Sequence, residues 1–571
     1  MPWSFQNSAI LVLWRPSISP PSTMFSIKLE QTFTMTSIVS VLLFLITIWA
    51  LRRLYKIGAR EPLLPPGPPT IPLLGNLHVF PQEFAHYKFT TWAREYGEIY
   101  SLKMGPSTVI VLTGMNAVKE LLEKRSGSTV DRPALRIANI VTGGLNMVLA
   151  RYGNEWRILR KTAHAILTPA AVMAHLPIQA AEATQVMHDL LKSPERFYTH
   201  IGRYSNSVIM SVLYGKRCPR YETREAASFF EVQHLWGLIL EPGSQPPIDL
   251  LPFLCYVPRR WAPWKALSEK IRMDQRKLYF GLLDECADRI QKGEENGSFM
   301  EEVINRQDES GSSRELSGYF GGVLIEGGSD TTSSFLQSLI LLLIAFPEVQ
   351  RKGHEEIGGI VGDQRTPTLD DVPRLPYMQA IIKETHRMRP VAPLAIPHMN
   401  REPEVYNGYI IPEGSTIFVN TWGIYHDPDL YEDPETFNPD RFIDNEYGTK
   451  PNVDTSNFRA NIAFGYGRRI CPGIHLANNS LLLNTMNLLW GFSFESPLDT
   501  STGLPIPVDI FNYHKGILAV PKPFKCRITC RSPGHAQIIE RDFWSEAIPI
   551  FERFERNLSE EDEAWLKVSR K

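Results

Sequence analysis

The 571-residue chain is poor in cysteine. Six residues, Cys218, Cys255, Cys286, Cys471, Cys526 and Cys530, are too few and too scattered for a disulfide scaffold, and they place the bulk of the chain in a reducing compartment. Cys526 and Cys530 stand four apart, and nothing nearby completes a zinc site. An excess of charge of one sign is also missing. Sixty Lys and Arg face 62 Asp and Glu, so no net field points to nucleic acid. The glycine pair Gly465-Tyr466-Gly467 lacks the third glycine and the preceding strand of a dinucleotide loop.

What is present is a large apolar fraction, 43%, enough for a sizeable core. Residues 1–32 form a leader of uncertain status: the apolar run Ile10–Trp14 is too short to span a bilayer, prolines follow it, and Met24 and Met35 are alternative starts. Residues 33–51 carry no charge over 19 positions, about 28 Å as a helix, which matches a hydrocarbon core. Arg52, Arg53, Lys56 and Arg60 follow, which predicts a single-pass anchor with the remainder on the cytoplasmic side. No small-residue cleavage site suggests a removable signal. Residues 52–72 then form a basic and proline-rich linker, in which Leu64–Pro72 is extended and stiff enough to orient the body against the membrane.

The densest local signal is Phe464–Gly473, Phe-Gly-Tyr-Gly-Arg-Arg-Ile-Cys-Pro-Gly. Its glycines allow a tight loop, and Pro472 predicts a helix start, so Cys471 would sit among unpaired N–H groups that favour a thiolate by roughly 0.3–1 kcal/mol. One sulfur presented in this way suits a soft metal, and Cys471 is read as a haem-iron ligand with Arg468 and Arg469 as fixed cations. A small core thiol is the competing reading.

Other segments add to it. Trp156 and Arg160 share a helix face and could clamp an anionic group; a surface aromatic beside a solvated cation is the alternative. Arg314–Ala345 predicts a helix of roughly 45 Å, interrupted in composition by Glu326-Gly327-Gly328-Ser329-Asp330-Thr331-Thr332. Two glycines there cost up to ~1 kcal/mol each, permit a kink or bulge, and let a flat ligand approach, while Asp330 and Thr331 could relay protons. Pro347–Arg351 should end this helix. Glu384 and Arg387 share the next one, and Arg441 could join them from a turn-rich meander; Pro390–His398 reads as a stiff, pocket-lining strand.

In order and spacing these segments resemble the cytochrome P-450 family of haem-thiolate monooxygenases, from the anchor to about Cys530. The resemblance implies a mainly α fold with a smaller β region (α+β), in a domain spanning 73–530. It implies Cys471 as the iron ligand, Phe464 packed near its sulfur, Trp156, Arg160, His398 and Arg469 as propionate donors, and Asp330 and Thr331 as the acid and alcohol that guide protons to dioxygen. Glu384, Arg387 and Arg441 look like the family's structural triad, with Asp440 where members often carry Glu. The implied cofactor is haem b (iron protoporphyrin IX), with O2 as co-substrate and NADPH electrons arriving through a membrane-bound NADPH-cytochrome reductase, cytochrome b5 being a further donor. The implied site is the endoplasmic reticulum membrane.

Candidate pocket walls are Ile137–Leu149, Val323 with Glu326, Val391–Ile396 and Phe511–His514. Tyr204–Met210, Ile325–Ser329 and Pro390–His398 are similar to fungal members that oxidise small aromatic or polyketide intermediates. Glu326 could bind a polar substituent or be an ordinary buried carboxylate. Residues 531–571 are expected as an extension, either a solvated tail or a docking helix capped by Ser559. Two other classes stand beside this reading: a haem-binding sensor or electron carrier, which needs no Asp330–Thr331 relay, and a catalytically dead anchored scaffold.

Overall fold

The computed structural model describes residues 24–240, 245–246, 248–249, 252–460 and 462–570. The leader's first 23 residues therefore lie outside the described region. Helix α1, Met24–Lys56, starts before the uncharged run and continues through Arg52, Arg53 and Lys56, which are good helix formers. Its stretch Ser37–Lys56 is long and apolar enough to cross a membrane, and none of it is buried. The proline-rich linker is not a free spacer. Arg60 donates to the carbonyls of Gly67 (2.6 Å) and Pro68 (3.0 Å), and Ser101 Oγ donates to Pro65 O (2.6 Å), which staples the prolines to the first sheet.

After α2 (Ala85–Tyr96), strands β1 (Ile99–Met104) and β2 (Ser107–Leu112) pair antiparallel, Ile99 opposite Leu112. The helical body follows: α3 (Asn154–Ile166), α4 (Leu176–Lys192), α5 (Phe197–Tyr214), α6 (Arg224–Leu240), α7 (Pro263–Lys292), α8 (Arg314–Ala345), α9 (Pro347–Ile360) and α10 (Pro376–Met388). Four small strands come next: β3 (His398–Met399), β4 (Glu404–Tyr406), β5 (Tyr409–Ile411) and β6 (Thr416–Val419). The first sheet has the order β1-β2-β6-β3, with β2 and β6 parallel and β3 on the edge. The pairing of β3 with β6 and the bridge from Met399 to Asp131 bring His398 to residues some 270 positions earlier. β4 pairs with β5. After α11 (Ile474–Gly491), β7 (Phe492–Glu495) pairs with β8 (Arg527–Cys530).

Helix α8 is the axis of the body and lies along α5. Ser313 caps it, accepting from Leu316 N at 3.2 Å, and it runs as one continuous α-helix through Gly327 and Gly328. It does not end in a simple stop. Phe346 turns the chain by 106°, and Pro347, suited to a first helical turn, opens α9.

Pro390–His398 is also not a strand as expected. Only His398 and Met399 pair, because three prolines lack donors and Ala395 adopts φ +50°. Glu384 and Arg387 are fully buried rather than exposed, joined in two parallel bonds at 2.7 and 2.8 Å, with Arg441 Nε 3.2 Å from the same carboxylate. Arg387 also donates to the carbonyls of Tyr425 and Pro434, at 2.8 Å each, and so pins the meander on which the cysteine loop rests. Asp440 pairs with Lys352 at 2.7 Å instead of joining this cluster.

Residues 531–570 fold back onto the body, contrary to the expectation of a solvated tail. Helix α12 (Pro533–Asp542) leads through the helical turns Phe543–Ala547 and Ile548–Phe551 to α13 (Glu560–Ser569), capped by Ser559 as expected. Ile539, Phe543 and Phe551 enter the main core, each contributing ~1.5–3 kcal/mol by burial. The apolar alternation with charge seen in the sequence is the mark of a helix with one packed face. Arg217, itself fully buried, is enclosed by this segment: its guanidinium carbon lies 3.4 Å from the Phe551 ring centroid, and it bonds Glu555 and Glu182.

Candidate haem site

The cysteine loop is shaped by glycine at a close approach. Gly467 has φ +53°, and a Cβ there would fall 2.1 Å from the Leu122 carbonyl oxygen, so no other residue lets the loop lie on the Lys119–Lys124 turn. Cys471 N donates to Phe464 O at 2.9 Å, which closes the loop and sets Phe464 against the cysteine. Helix α11 begins at Ile474 with Gly473 as its N-cap, two residues later than Pro472 suggested. Burial raises the Cys471 thiol above its ordinary pKa, against the sequence expectation; the Gly473 N–H and Arg160 act in the opposite direction. Metal ligation is what removes the proton from such a thiol. His386 is packed between Phe464 and Phe335 with both ring nitrogens unpartnered, and burial lowers it to about 4, so it is neutral.

Around the loop the structure gathers cations. Trp156 and Arg160 share the buried face of α3, so neither is a surface residue. They do not hold each other. Trp156 lies under Arg469, and Arg160 Nε bonds His164 Nε2 at 3.0 Å. Arg469 donates to the carbonyls of Val130 (2.8 Å), Met147 (3.3 Å) and Ala150 (2.9 Å). His398 Nδ1 bonds Thr129 O at 2.9 Å. The sequence reading missed Arg132. It is buried, and its guanidinium donates to Ile396 O (2.6 Å), Pro397 O (2.8 Å) and Val148 O (3.0 Å). The bridge from Met399 N to Asp131 O, 2.9 Å, sets it beside His398, a contact invisible in a linear scan.

These groups destabilise one another's charge. Burial brings Arg469 down to about 9, with Asp131 opposing the shift and Arg160 adding to it; Arg132 is pushed down by burial and Arg469 against the pull of Asp131; His398 is pushed down by burial, Arg132 and Arg469 against its bond to Thr129. The nearby carboxylate, Asp131, is committed to Arg151 at 2.6 Å and to the N–H groups of Arg132 and Tyr152. A buried set of cations short of anions is the environment that a pair of propionates completes.

Helix α8 has its own break in burial. Leu316–Ile325 and Thr332–Ile344 are buried throughout, whereas Glu326, Gly327, Gly328, Asp330 and Thr331 are open, and a Cβ on Gly327 would meet nothing within 4 Å. Glu326 and Asp330 are nonetheless deep in the protein, so the opening is internal. Gln233 Nε2 donates to Asp330 Oδ2 at 2.7 Å, and burial raises Asp330 to about 6. Thr331 Oγ1 donates to Gly327 O at 2.5 Å. The Cys471 thiol, the buried cations and the small, half-open residues of α8 make a donor set that fits a haem.

Comparison with known proteins agrees with this geometry. The cytochrome P-450 family model matches residues 65–526. A cytochrome P-450 monooxygenase of Armillaria gallica is 46% identical over 503 residues, 88% of this chain and 96% of that protein. The yanC monooxygenase of Aspergillus niger is 38% identical over 84% of this chain and 92% of its own; patI of Aspergillus clavatus is 38% identical over 94% and 99%. The chain belongs to the cytochrome P-450 family. It is an oxygen-incorporating oxidoreductase, and the family's cofactor and co-substrate are haem and O2.

Proposed function

We propose that the chain is a membrane-anchored monooxygenase that holds haem b through Cys471 and oxidises a small apolar molecule, an aromatic or polyketide intermediate of fungal secondary metabolism. The observation that carries the site assignment is the cluster of Arg132, Arg160, Arg469 and His398, four basic groups near one carboxylate already committed to Arg151, with Arg160 close enough to act on Cys471. Helix α1 and the cations at its end support a single-pass anchor in the endoplasmic reticulum membrane with a cytoplasmic body. NADPH electrons are assigned to NADPH-cytochrome reductase, with cytochrome b5 as an auxiliary donor.

Cys471 would hold the iron, Phe464 would pack beside the sulfur, and Arg132, Trp156, Arg160, His398 and Arg469 would hold the propionates. The bound haem supplies dioxygen activation and C–H oxidation. The chain's own groups supply the rest. Gly327 leaves open space beside the backbone of α8. Asp330, with a pKa near 6, is poised to take up and release protons near neutral pH, and Thr331 beside it passes them inward. Buried aliphatic residues on α8, Val323 and Leu324, keep water out.

The test compares metabolites of a host with and without the gene, alongside the carbon monoxide difference spectrum of the reduced protein. A thiolate band together with a new oxidised product supports the proposal. A thiolate band with no product in the presence of reductase and NADPH would leave an electron carrier or sensor.

A further inference from the structure

Glu326 is the one carboxylate of the open stripe to which the monooxygenase reading gives no role. Its Oε1 accepts from Tyr279 OH at 2.7 Å and from Gln275 Nε2 at 3.3 Å, both on α7; its Oε2 accepts from Asn146 Nδ2 at 3.1 Å, in the loop before α3. Trp236 on α6 lies nearby, and Asp330 is the charged group that faces Glu326, from one turn along α8. Among the described residues no lysine, arginine or histidine pairs with it. The donors are themselves fixed. Asn146 Oδ1 accepts from Val148 N (3.0 Å) and Leu149 N (3.3 Å), which aims its amide nitrogen at Glu326. The Tyr279 ring is seated on Gly322, where a Cβ would fall 2.2 Å from the ring.

A carboxyl group buried without a counter-charge costs several kcal/mol, and a core helix needs no such group for packing. Burial raises Glu326 to about 7, so acid and carboxylate coexist near neutrality. A carboxylate accepts about four hydrogen bonds, so the bonds from Tyr279, Gln275 and Asn146 leave room for about one more donor. The group also adjoins Gly327, the most open position of the stripe, while the helix turn before it is apolar. An alcohol or phenol can donate to the carboxylate and accept from the acid. A methyl ether can only accept.

Resting on the monooxygenase reading, we infer that Glu326, positioned by Tyr279 and Asn146, is the polar end of the substrate cavity and selects a molecule bearing an alcoholic or phenolic hydroxyl over the same molecule as its methyl ether. The hydroxyl anchors one end of an otherwise apolar substrate and thereby fixes which carbon faces the haem side.

The experiment uses the full-length, haem-loaded protein in detergent and equilibrium dialysis of four probes, 3- and 4-ethylphenol and the two corresponding ethylanisoles. The wild-type protein is expected to bind at least one phenol about tenfold more tightly than its ether, the effect of one hydrogen bond to a charged acceptor. Glu326→Gln, which keeps shape and a neutral acceptor, should reduce that ratio to roughly threefold, and Glu326→Leu should bring it to about one. A wild-type ratio within about twofold for both pairs overturns the inference, as does an undiminished ratio in the variants; if the leucine variant loses its thiolate band, the glutamine variant decides. The carbon monoxide band of the wild-type protein separates the two readings. Its presence with no hydroxyl preference sinks the selectivity alone, and its absence sinks both.

Discussion

The guanidinium carbon of Arg469 lies 4.1 Å from the centroid of the Trp156 indole. An aromatic face and three carbonyls hold this cation in a buried place where Arg160 and Arg132 oppose it. Such a strained set of charges is ready for an anion before any anion arrives.

Arg132 and Arg469 should therefore govern haem retention. A hydrogen bond to a charged group contributes ~1.5–3 kcal/mol, so alanine at either position should speed haem transfer to a scavenging globin roughly ten- to hundredfold. Arg469→Lys should rescue little, because one ammonium cannot reach three carbonyls and cover an indole.

Cys471→Ala should abolish the thiolate band of the reduced carbon monoxide complex. Cys218→Ala, at a fully buried thiol in the main core, should keep it. Retention of the band in the first variant removes Cys471 as the ligand.

Thr331→Ala should raise the hydrogen peroxide formed per NADPH several-fold while substrate binding is kept, measured as peroxide yield against product yield. Equal coupling in the variant and the wild type excludes the relay.

Stability should depend on pH through Asp330 and Glu326. Both folded-state values are raised, to about 6 and about 7, so the folded protein holds these protons more tightly than the unfolded chain. That contribution is complete below about pH 4 and is lost as pH rises through 6 to 7, each tenfold gain in proton affinity on folding corresponding to ~1.4 kcal/mol. Between pH 5 and 7.5 the melting temperature of Asp330→Asn should fall less than that of the wild type. Parallel curves would contradict the assignment.

The carboxy-terminal segment should be structural. Phe551→Ala removes a fully buried ring and uncovers the Arg217 guanidinium, at a cost of ~3–5 kcal/mol. Val568→Ala, 71% exposed, should stay within about 0.5 kcal/mol of the wild type. Thermal melts of the two variants make the comparison.

Local chemistry made some of this legible. The bounds of α8 follow from a serine cap and a proline, and the Cys471 loop from its glycines. Arg132 was not legible, because its role depends on a bridge between Asp131 and Met399 that only the folded sheet creates. Pro390–His398 misled for the opposite reason: its apolar content suits a strand, while its prolines deny the ladder. Residues 531–570 looked like a tail because the packing partner of Phe551, Arg217, lies more than 300 positions upstream.

That last contact has a bearing on how the protein is made. Glu182, Arg203 and Arg217 leave the ribosome well before the aromatic cover and the Glu555 carboxylate that complete their surroundings, which lie more than 330 residues downstream of Arg217. The surroundings of the helices on which α8 rests are thus completed late in synthesis, and a truncation before Phe551 would leave Arg217 with Glu182 but without its aromatic cover or its second carboxylate.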